Sequence, residues 1–318
     1  MLFSAIVSSS DRVDLRVQVG ALSLSNPILT ASGTFGYGLE FSHLVDLNQL
    51  GGLVTKGISL EPMEGAPAPR LCETPSGMLN AVGLQNVGVE AFRADKLPLL
   101  RKYNTKVIVN VFGYCLEDYV EVIHRLEDAE GIAAYELNIS CPNVKKGGMQ
   151  FGSNPALVEE VVGAVRKAVA KRPLWVKLMP LVTDIGLIGR AAESAGADAL
   201  TVANTYPAMS VDARTAKSRL GNLTGGLSGP AIKPITLRLV WETRKAVKIP
   251  ILGLGGIETV EDVLEYLAVG ATAVQVGTAS FADPAISEGL VRGLARTVSE
   301  ANMLTISSLR DRLVAENG

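Results

Sequence analysis

Two rhythms of apolar residues alternate along the chain. One is a short, near-continuous run rich in β-branched side chains: NPILTAS (26–32), GGLVTKG (51–57), KVIVNVFG (106–113), AYELNIS (134–140), LWVKLMP (174–180), DALTVANT (198–205), IPILGLGG (249–256) and TAVQVGT (272–278). Such runs, bounded by glycine, proline or asparagine, predict strands buried on both faces. The other rhythm sets apolar residues at i, i+3, i+4 and i+7, the mark of an amphipathic helix. It occupies NPALVEEVVGAVRKAVAKR (154–172), IGLIGRAAESAG (185–196), PAIKPITLRLVWETRKAV (230–247) and TVEDVLEYLAVG (259–270). Asn154 ahead of Pro155 offers a capping side chain and a first-turn proline, and Gly196 and Gly270 stand where helices should stop.

Eight strands alternating with helices predict a parallel sheet with helical crossovers. Spread over roughly 250 residues, they fit an α/β fold of the closed (β/α)8 TIM-barrel type, with an open doubly wound sheet as the alternative. Composition does not break anywhere, so residues 1–318 are expected to form a single domain. Two connections, from 57 to about 90 and from 204 to 229, are long. Both follow strand C-terminal ends, where barrel active sites lie.

Composition narrows the function classes. Hydrophobic residues make up 47% of the 318, enough for a large core. Lys plus Arg total 30 against 32 Asp plus Glu, and the net charge of −2 offers no basic face to nucleic acid or an anionic membrane. The three cysteines, Cys72, Cys115 and Cys141, fit neither a disulfide framework nor a zinc site and suit a reducing compartment. MLFSAIVSSSDRVDLRV (1–17) has no basic segment ahead of an apolar core. No apolar run reaches the ~18 residues of a membrane-span candidate, so a soluble cytoplasmic protein is expected.

Polar side chains gather at the predicted strand ends. Lys56, Asn110, Asn138, Lys177, Asn204 and Thr205 end strands two to six. A polar group at a barrel mouth loses solvation unless something pairs with it. Lysines and amides together suit a ligand with carbonyls, ring nitrogens and negative charge. GLGGI (253–257) and VGTAS (276–280) follow strands seven and eight, each ahead of a predicted helix. Glycines there let backbone N–H groups approach a phosphate, and helix N-termini favour the anion. The set suits flavin mononucleotide better than a small sugar phosphate. A flavin's N1–C2=O2 locus becomes anionic on two-electron reduction, and Lys177 is the candidate to stabilise it. A nicotinamide cofactor is disfavoured, because no G-x-G-x-x-G follows the first strand.

His43 and His124 lie in stretches that read as helical, so neither is an obvious base. Cys141 sits between Asn138 and Asn143, beside Pro142 and ahead of Gly147 and Gly148. A thiol in a loop over the mouth can be tuned toward neutrality and act as a general base, and the glycines would let such a loop move. Cys72 and Cys115 read as bystanders.

The segments NPILTASGTFGYG (26–38), TKGIS (55–59), GMLNAVGLQNVG (77–88), NVFG (110–113), LNISCPNVKKGG (137–148), VKLMP (176–180), ANT (203–205), LSGPAIKP (227–234), GLGGI (253–257) and QVGTA (275–279) run in order through nearly the whole chain. Together they resemble the dihydroorotate dehydrogenases of class 1, and most closely the class 1B, NAD-linked catalytic subunit. A cysteine at the base position sets the chain apart from the membrane-associated class 2 enzymes, which use serine. The resemblance implies oxidation of dihydroorotate to orotate with FMN in de novo pyrimidine (UMP) biosynthesis. Cys141 would take a proton from C5 while a hydride leaves C6 for the flavin N5. It also implies that Ser32, Lys56, Gly57, Asn110, Asn138, Lys177, Ala203, Gly229, Gly255, Gly256, Gly277 and Thr278 hold FMN. The pyrimidine ring would meet Lys56, Asn80, Ala81, Val82, Gly83, Leu84, Asn138, Asn143, Asn204 and Thr205.

Class 1B enzymes pass electrons to NAD through a second subunit carrying FAD and an iron–sulfur cluster, in a heterotetramer built on a homodimer. This chain has no cysteine cluster and no dinucleotide fingerprint, so those groups would lie on a partner. Two positions depart from the family pattern: Ala203 replaces a frequent isoleucine and Ala208 a frequent glycine, both expected beside the ring site. A fumarate-dependent class 1A enzyme is the main alternative. A tRNA dihydrouridine synthase is opposed by the net charge and the lack of a basic C-terminal helical domain, and a non-catalytic barrel by the retained Cys141, lysines and amides.

Overall fold

All eight short apolar runs become strands of one closed parallel barrel. In chain order they are β1 (Ile28–Thr30), β2 (Gly52–Val54), β3 (Lys106–Val111), β4 (Ala134–Asn138), β5 (Leu174–Lys177), β6 (Ala199–Val202), β7 (Ile251–Leu254) and β8 (Ala273–Val276), and β8 pairs back onto β1. The structure, a computed structural model, describes residues 13–140, 151–301, 305–310 and 312–317. Closure into a (β/α)8 barrel excludes the open doubly wound alternative.

Alternation along each strand divides the core in two. Leu29, Val54, Ile108, Ala134, Trp175, Ala199, Leu252 and Ala273, one from each strand, pack together as an apolar layer inside the barrel. Val19 and Leu24, from the hairpin Val17–Val19/Leu22–Leu24, join this layer. The hairpin turn at Gly20 abuts Asp198, just ahead of β6, so the hairpin plugs the N-terminal end of the barrel. Two residues further along, the same period of two turns Lys56, Asn110, Glu136, Lys177, Thr201 and Gln275 inward. The interior is therefore apolar below and polar above.

The outer faces of the strands meet the helices. In the helix Pro155–Ala168 the buried side chains are Val158, Val161, Val162 and Val165, the spacing that the sequence pattern requires. Each such burial is worth about 1.5–3 kcal/mol. Asn154 accepts a hydrogen bond from the Ala156 N–H with Pro155 in the first turn. The helices Ile185–Ser194, Lys233–Ala246 and Val260–Ala268 fall inside their predicted segments. Gly196 and Gly270 adopt φ of +100° and +106°, the left-handed stop that glycine permits. His124 is exposed on the helix Leu116–Leu126, as its pattern suggests. His43 instead lies in an exposed turn after the short 3-10 segment Leu39–Phe41. Among the described residues no helix is long and apolar enough to cross a membrane.

The two long connections pair with each other. Tyr206–Ala208, Gly225–Ser228, Gly77–Asn80 and Leu71–Thr74 form a four-stranded antiparallel sheet beside the barrel mouth. Leu79, Ala81 and Leu220 form its small core, with Cys72, Ala208 and Leu227 packed against them. Ala208 therefore belongs to this cluster and does not line the cavity described next, contrary to the expectation that it sits beside the ring site.

Candidate active site

A cavity of about 890 Å³ opens at the C-terminal ends of the barrel strands. Every site residue expected from the sequence that lies among the described residues lines it. These are Ser32, Lys56, Gly57, Asn80, Ala81, Val82, Gly83, Leu84, Asn110, Asn138, Lys177, Ala203, Asn204, Thr205, Gly229, Gly255, Gly256, Gly277 and Thr278. Cys141 and Asn143, with Pro142, Gly147 and Gly148, lie outside the described residues; Ser140, the residue just before them, lines the cavity. Cys72 and Cys115 do not line it.

Two desolvated ammonium groups face this space. Lys177, at the end of β5, is 4% exposed and donates to Ser32 Oγ at 3.0 Å. Burial pushes its pKa below the ordinary lysine range, and the charge of Glu136 opposes that shift. Lys56 is lowered by burial first and then by the positive charge of Arg70. Arg70 is itself tied to the loop: its Nε donates to Ala66 O at 2.6 Å, and its two terminal nitrogens donate to Gln85 Oε1 and Glu64 O, each at 2.8 Å. The same loop carries Ala81 to Leu84 against the cavity, turned by Gly83 at φ +72° and Leu84 at φ +57°.

The amides are oriented by their neighbours. Asn138 Oδ1 accepts from Asn204 Nδ2 and from the Ser140 N–H, both at 3.3 Å, and its NH2 group has no partner among the described residues. Asn204 Oδ1 accepts from the Thr205 N–H at 2.8 Å. Asn80 Nδ2 donates to Gly226 O at 3.1 Å, joining the mouth sheet to the site. Asn110 Oδ1 is buried and has no hydrogen-bond partner among the described residues.

The glycines at the strand ends fall into two kinds. Gly229, Gly255 and Gly256 have φ of +94°, +148° and +68°. A Cβ on Gly256 would stand 2.8 Å from Gly229 O, and one on Gly229 2.7 Å from Gly77 Cα. The chain itself needs glycine at these positions. Gly277 differs: a Cβ there would meet nothing nearer than Ala31 Cβ at 3.6 Å, an ordinary contact. Nothing in the protein demands its small size, and Gly277 lines the cavity.

Helix termini contribute less than the sequence suggests. The segment after β8, Ala279–Ala282, is a single turn, and the helix Val260–Ala268 closes its own first turn with a Thr259–Asp262 capping box. An anion at this rim would therefore be met by backbone N–H groups of the glycine turns rather than by a helix N-terminus.

Sequence reasoning missed the polar layer beneath the mouth. Glu136 is fully buried and accepts from Asn110 Nδ2 at 2.7 Å, Thr201 Oγ1 at 2.7 Å and Gln275 Nε2 at 2.6 Å. The signal was present: a carboxylate inside AYELNIS and an amide inside TAVQVGT interrupt runs that otherwise read as buried strand.

Residues 14–298 match the family model described as dihydroorotate dehydrogenase. A protein of Thermodesulfovibrio yellowstonii named dihydroorotate dehydrogenase B (NAD(+)), catalytic subunit, is 52% identical over 295 residues, 93% of this chain and 97% of the relative. One of the same name from Trichlorobacter lovleyi is 53% identical over 295 residues, with the same coverage of 93% and 97%. A Solibacter usitatus protein provisionally named dihydroorotate dehydrogenase A (fumarate) is 56% identical over 270 residues, 85% of this chain and 88% of the relative. The chain belongs to the dihydroorotate dehydrogenase family. It is an oxidoreductase acting on dihydroorotate in pyrimidine biosynthesis. The two B-type names agree with the class 1B likeness of the sequence motifs. A dihydroorotate dehydrogenase must hold a hydrogen-bonding dihydropyrimidine against a hydride acceptor, and the amides and lysines gathered here offer donors and acceptors to such groups.

Proposed function

We propose that the chain is the FMN-binding catalytic subunit of an NAD-linked dihydroorotate dehydrogenase, working as one barrel domain, with Cys141 as the base. The observation that carries this reading is the convergence, in one cavity, of the buried Lys177, the Asn110 Oδ1 that has no partner among the described residues, and Gly277, whose small size the protein itself does not require. A cation, a buried acceptor and backbone without a side chain fit a phosphate ester carrying an electron-accepting ring with an N–H donor. About 890 Å³ is room for such a ring with a pyrimidine beside it.

FMN, when bound, supplies the two-electron acceptor and a ring whose reduced form is anionic. Lys177, itself buried, would place positive charge beside the ring whose reduced form is anionic. Gly229, Gly255, Gly256, Gly277 and Thr278 hold the phosphate end, and Ser32, Gly57, Asn110 and Ala203 border the ring. Asn80 to Leu84, Asn138, Asn143, Asn204 and Thr205 pair with the edges of dihydroorotate, and Lys56 meets its negative charge. This fixed orientation supplies much of the rate. Cys141 then takes the C5 proton as the hydride leaves C6.

Three cysteines are too few for a cluster ligated by four thiolates. The electrons are therefore passed to a partner subunit carrying FAD and an iron–sulfur cluster, and from it to NAD, in a cytoplasmic heterotetramer built on a dimer of this chain. Neither nucleic acid nor membrane is a partner. Direct use of fumarate is the second reading, favoured by the name of the Solibacter usitatus relative. Turnover with NAD and with fumarate, measured with and without the partner subunit, separates them. NAD reduction only with the partner supports the proposal, and brisk fumarate turnover by the chain alone overturns it.

A further inference from the structure

The polar layer under the cavity is built around one carboxylate. Glu136 on β4 is fully buried, and donors from three other strands converge on it: Asn110 Nδ2 from β3, Thr201 Oγ1 from β6 and Gln275 Nε2 from β8. A carboxylate only accepts, so the amide of Asn110 must turn its NH2 toward Oε1 of Glu136. Its oxygen is thereby directed to the opposite side. Asn110 Oδ1 indeed lies against Gly57, where a Cβ would stand 2.9 Å away, and both residues line the cavity. That oxygen is buried without a partner among the described residues, which is costly unless a ligand donates to it.

We propose that Glu136 is a positioning residue of the active site, whose carboxylate locks the Asn110 amide so that its oxygen, and not its amino group, meets the ligand. The cavity then selects a ring that presents an N–H or O–H donor at this point. The charge of Glu136 also opposes the desolvation of Lys177, so one residue sets the polarity of two neighbours.

The inference rests on FMN as the ligand of this cavity, and its test reads binding instead of turnover. In Glu136→Gln the carbonyl of the new amide can still accept from Thr201 and Gln275. With Thr201 and Gln275 still donating to that carbonyl, its NH2 group faces Asn110, which then turns to accept from it and offers its own NH2 to the ligand. FMN affinity, followed by quenching of flavin fluorescence on titration into apoprotein, should fall roughly ten- to a hundredfold, the effect of setting a donor against a donor. A double variant that adds Asn110→Asp to Glu136→Gln moves the charge from β4 to β3 and restores every donor–acceptor pair. The introduced glutamine amide donates to one oxygen of the introduced aspartate, and the other oxygen faces the cavity. Affinity should return to within about threefold of the wild type, a rescue that a merely space-filling or structural role does not predict.

Unchanged affinity in Glu136→Gln overturns the inference, as does a folded double variant that binds no better than the single one. If Glu136→Gln does not fold, the double variant decides alone: near-wild-type affinity supports the inference. Failure of the double variant to fold or to bind refutes it, since the swap preserves both the charge and the pairing. Wild-type apoprotein that takes up no FMN refutes the proposed function instead.

Discussion

Replacing Gly277 by alanine should separate the needs of the ligand from those of the fold. A Cβ at this position would lie 3.6 Å from Ala31 Cβ, 3.8 Å from Thr34 Cγ2 and 3.9 Å from Leu254 Cδ1, all ordinary contacts. Its φ is outside the left-handed region, so alanine fits the native backbone. Restricting the unfolded chain should then stabilise the apoprotein by about 0.4–1 kcal/mol. The new methyl group nonetheless covers backbone that the phosphate of FMN is proposed to approach. Loss of one hydrogen bond to a charged group is worth about 1.5–3 kcal/mol, so the FMN dissociation constant should rise by roughly ten- to a hundredfold. Gly256→Ala is the control. At φ +68°, with its Cβ 2.8 Å from Gly229 O, it should lower the melting temperature of the apoprotein itself. Thermal melts of the two apoproteins and fluorescence titration with FMN make the comparison. A Gly277→Ala protein that binds FMN as tightly as the wild type, or melts as early as Gly256→Ala, refutes the reasoning.

Cys141→Ser should keep FMN and orotate binding but slow anaerobic flavin reduction by orders of magnitude at neutral pH, because a hydroxyl is far less acidic than a thiol; an unchanged stopped-flow rate would remove Cys141 from the mechanism. Lys177→Met should make the flavin potential more negative by tens of millivolts. A buried charge interaction is worth a few kcal/mol at an effective dielectric of ~20, and about 1.4 kcal/mol corresponds to ~30 mV for a two-electron couple. A redox titration showing no shift contradicts that role. Burial lowers the pKa of Lys56, so the folded state disfavours its protonated form, and the stability deficit disappears as pH rises from that lowered pKa to the ordinary lysine range. Lys56→Met should therefore stabilise the apoprotein at neutral pH, with a margin that shrinks toward alkaline pH, while weakening ligand binding. A melt that moves the other way, or full retention of ligand affinity, counts against it.

The barrel was legible because both of its periods are strong. Strands buried on two faces leave unbroken runs such as KVIVNVFG, and helices packed on them leave stripes such as Val158, Val161, Val162 and Val165. Lys56, Asn110, Asn138 and Lys177 were legible because a polar residue at the end of such a run has few structural reasons to be there. The mouth sheet was not, since Gly77–Asn80 and Gly225–Ser228 are short, glycine-bearing and half-buried. Only pairing between two distant connections makes them strands, and no local pattern encodes it. Glu136 was hidden for a related reason. Its neighbours in sequence are apolar, and its three hydrogen-bond donors come from positions 26 to 139 residues away. The misplacement of Ala208 has the same origin: nearness in sequence to the ring contacts does not fix which face of a short strand a side chain takes.

Anaerobic addition of dihydroorotate to the purified, FMN-reconstituted chain should bleach the flavin's visible absorbance stoichiometrically. One orotate should form for each FMN reduced, in the absence of any other subunit. A chain that takes up FMN but stays oxidised with excess dihydroorotate would contradict the proposed function.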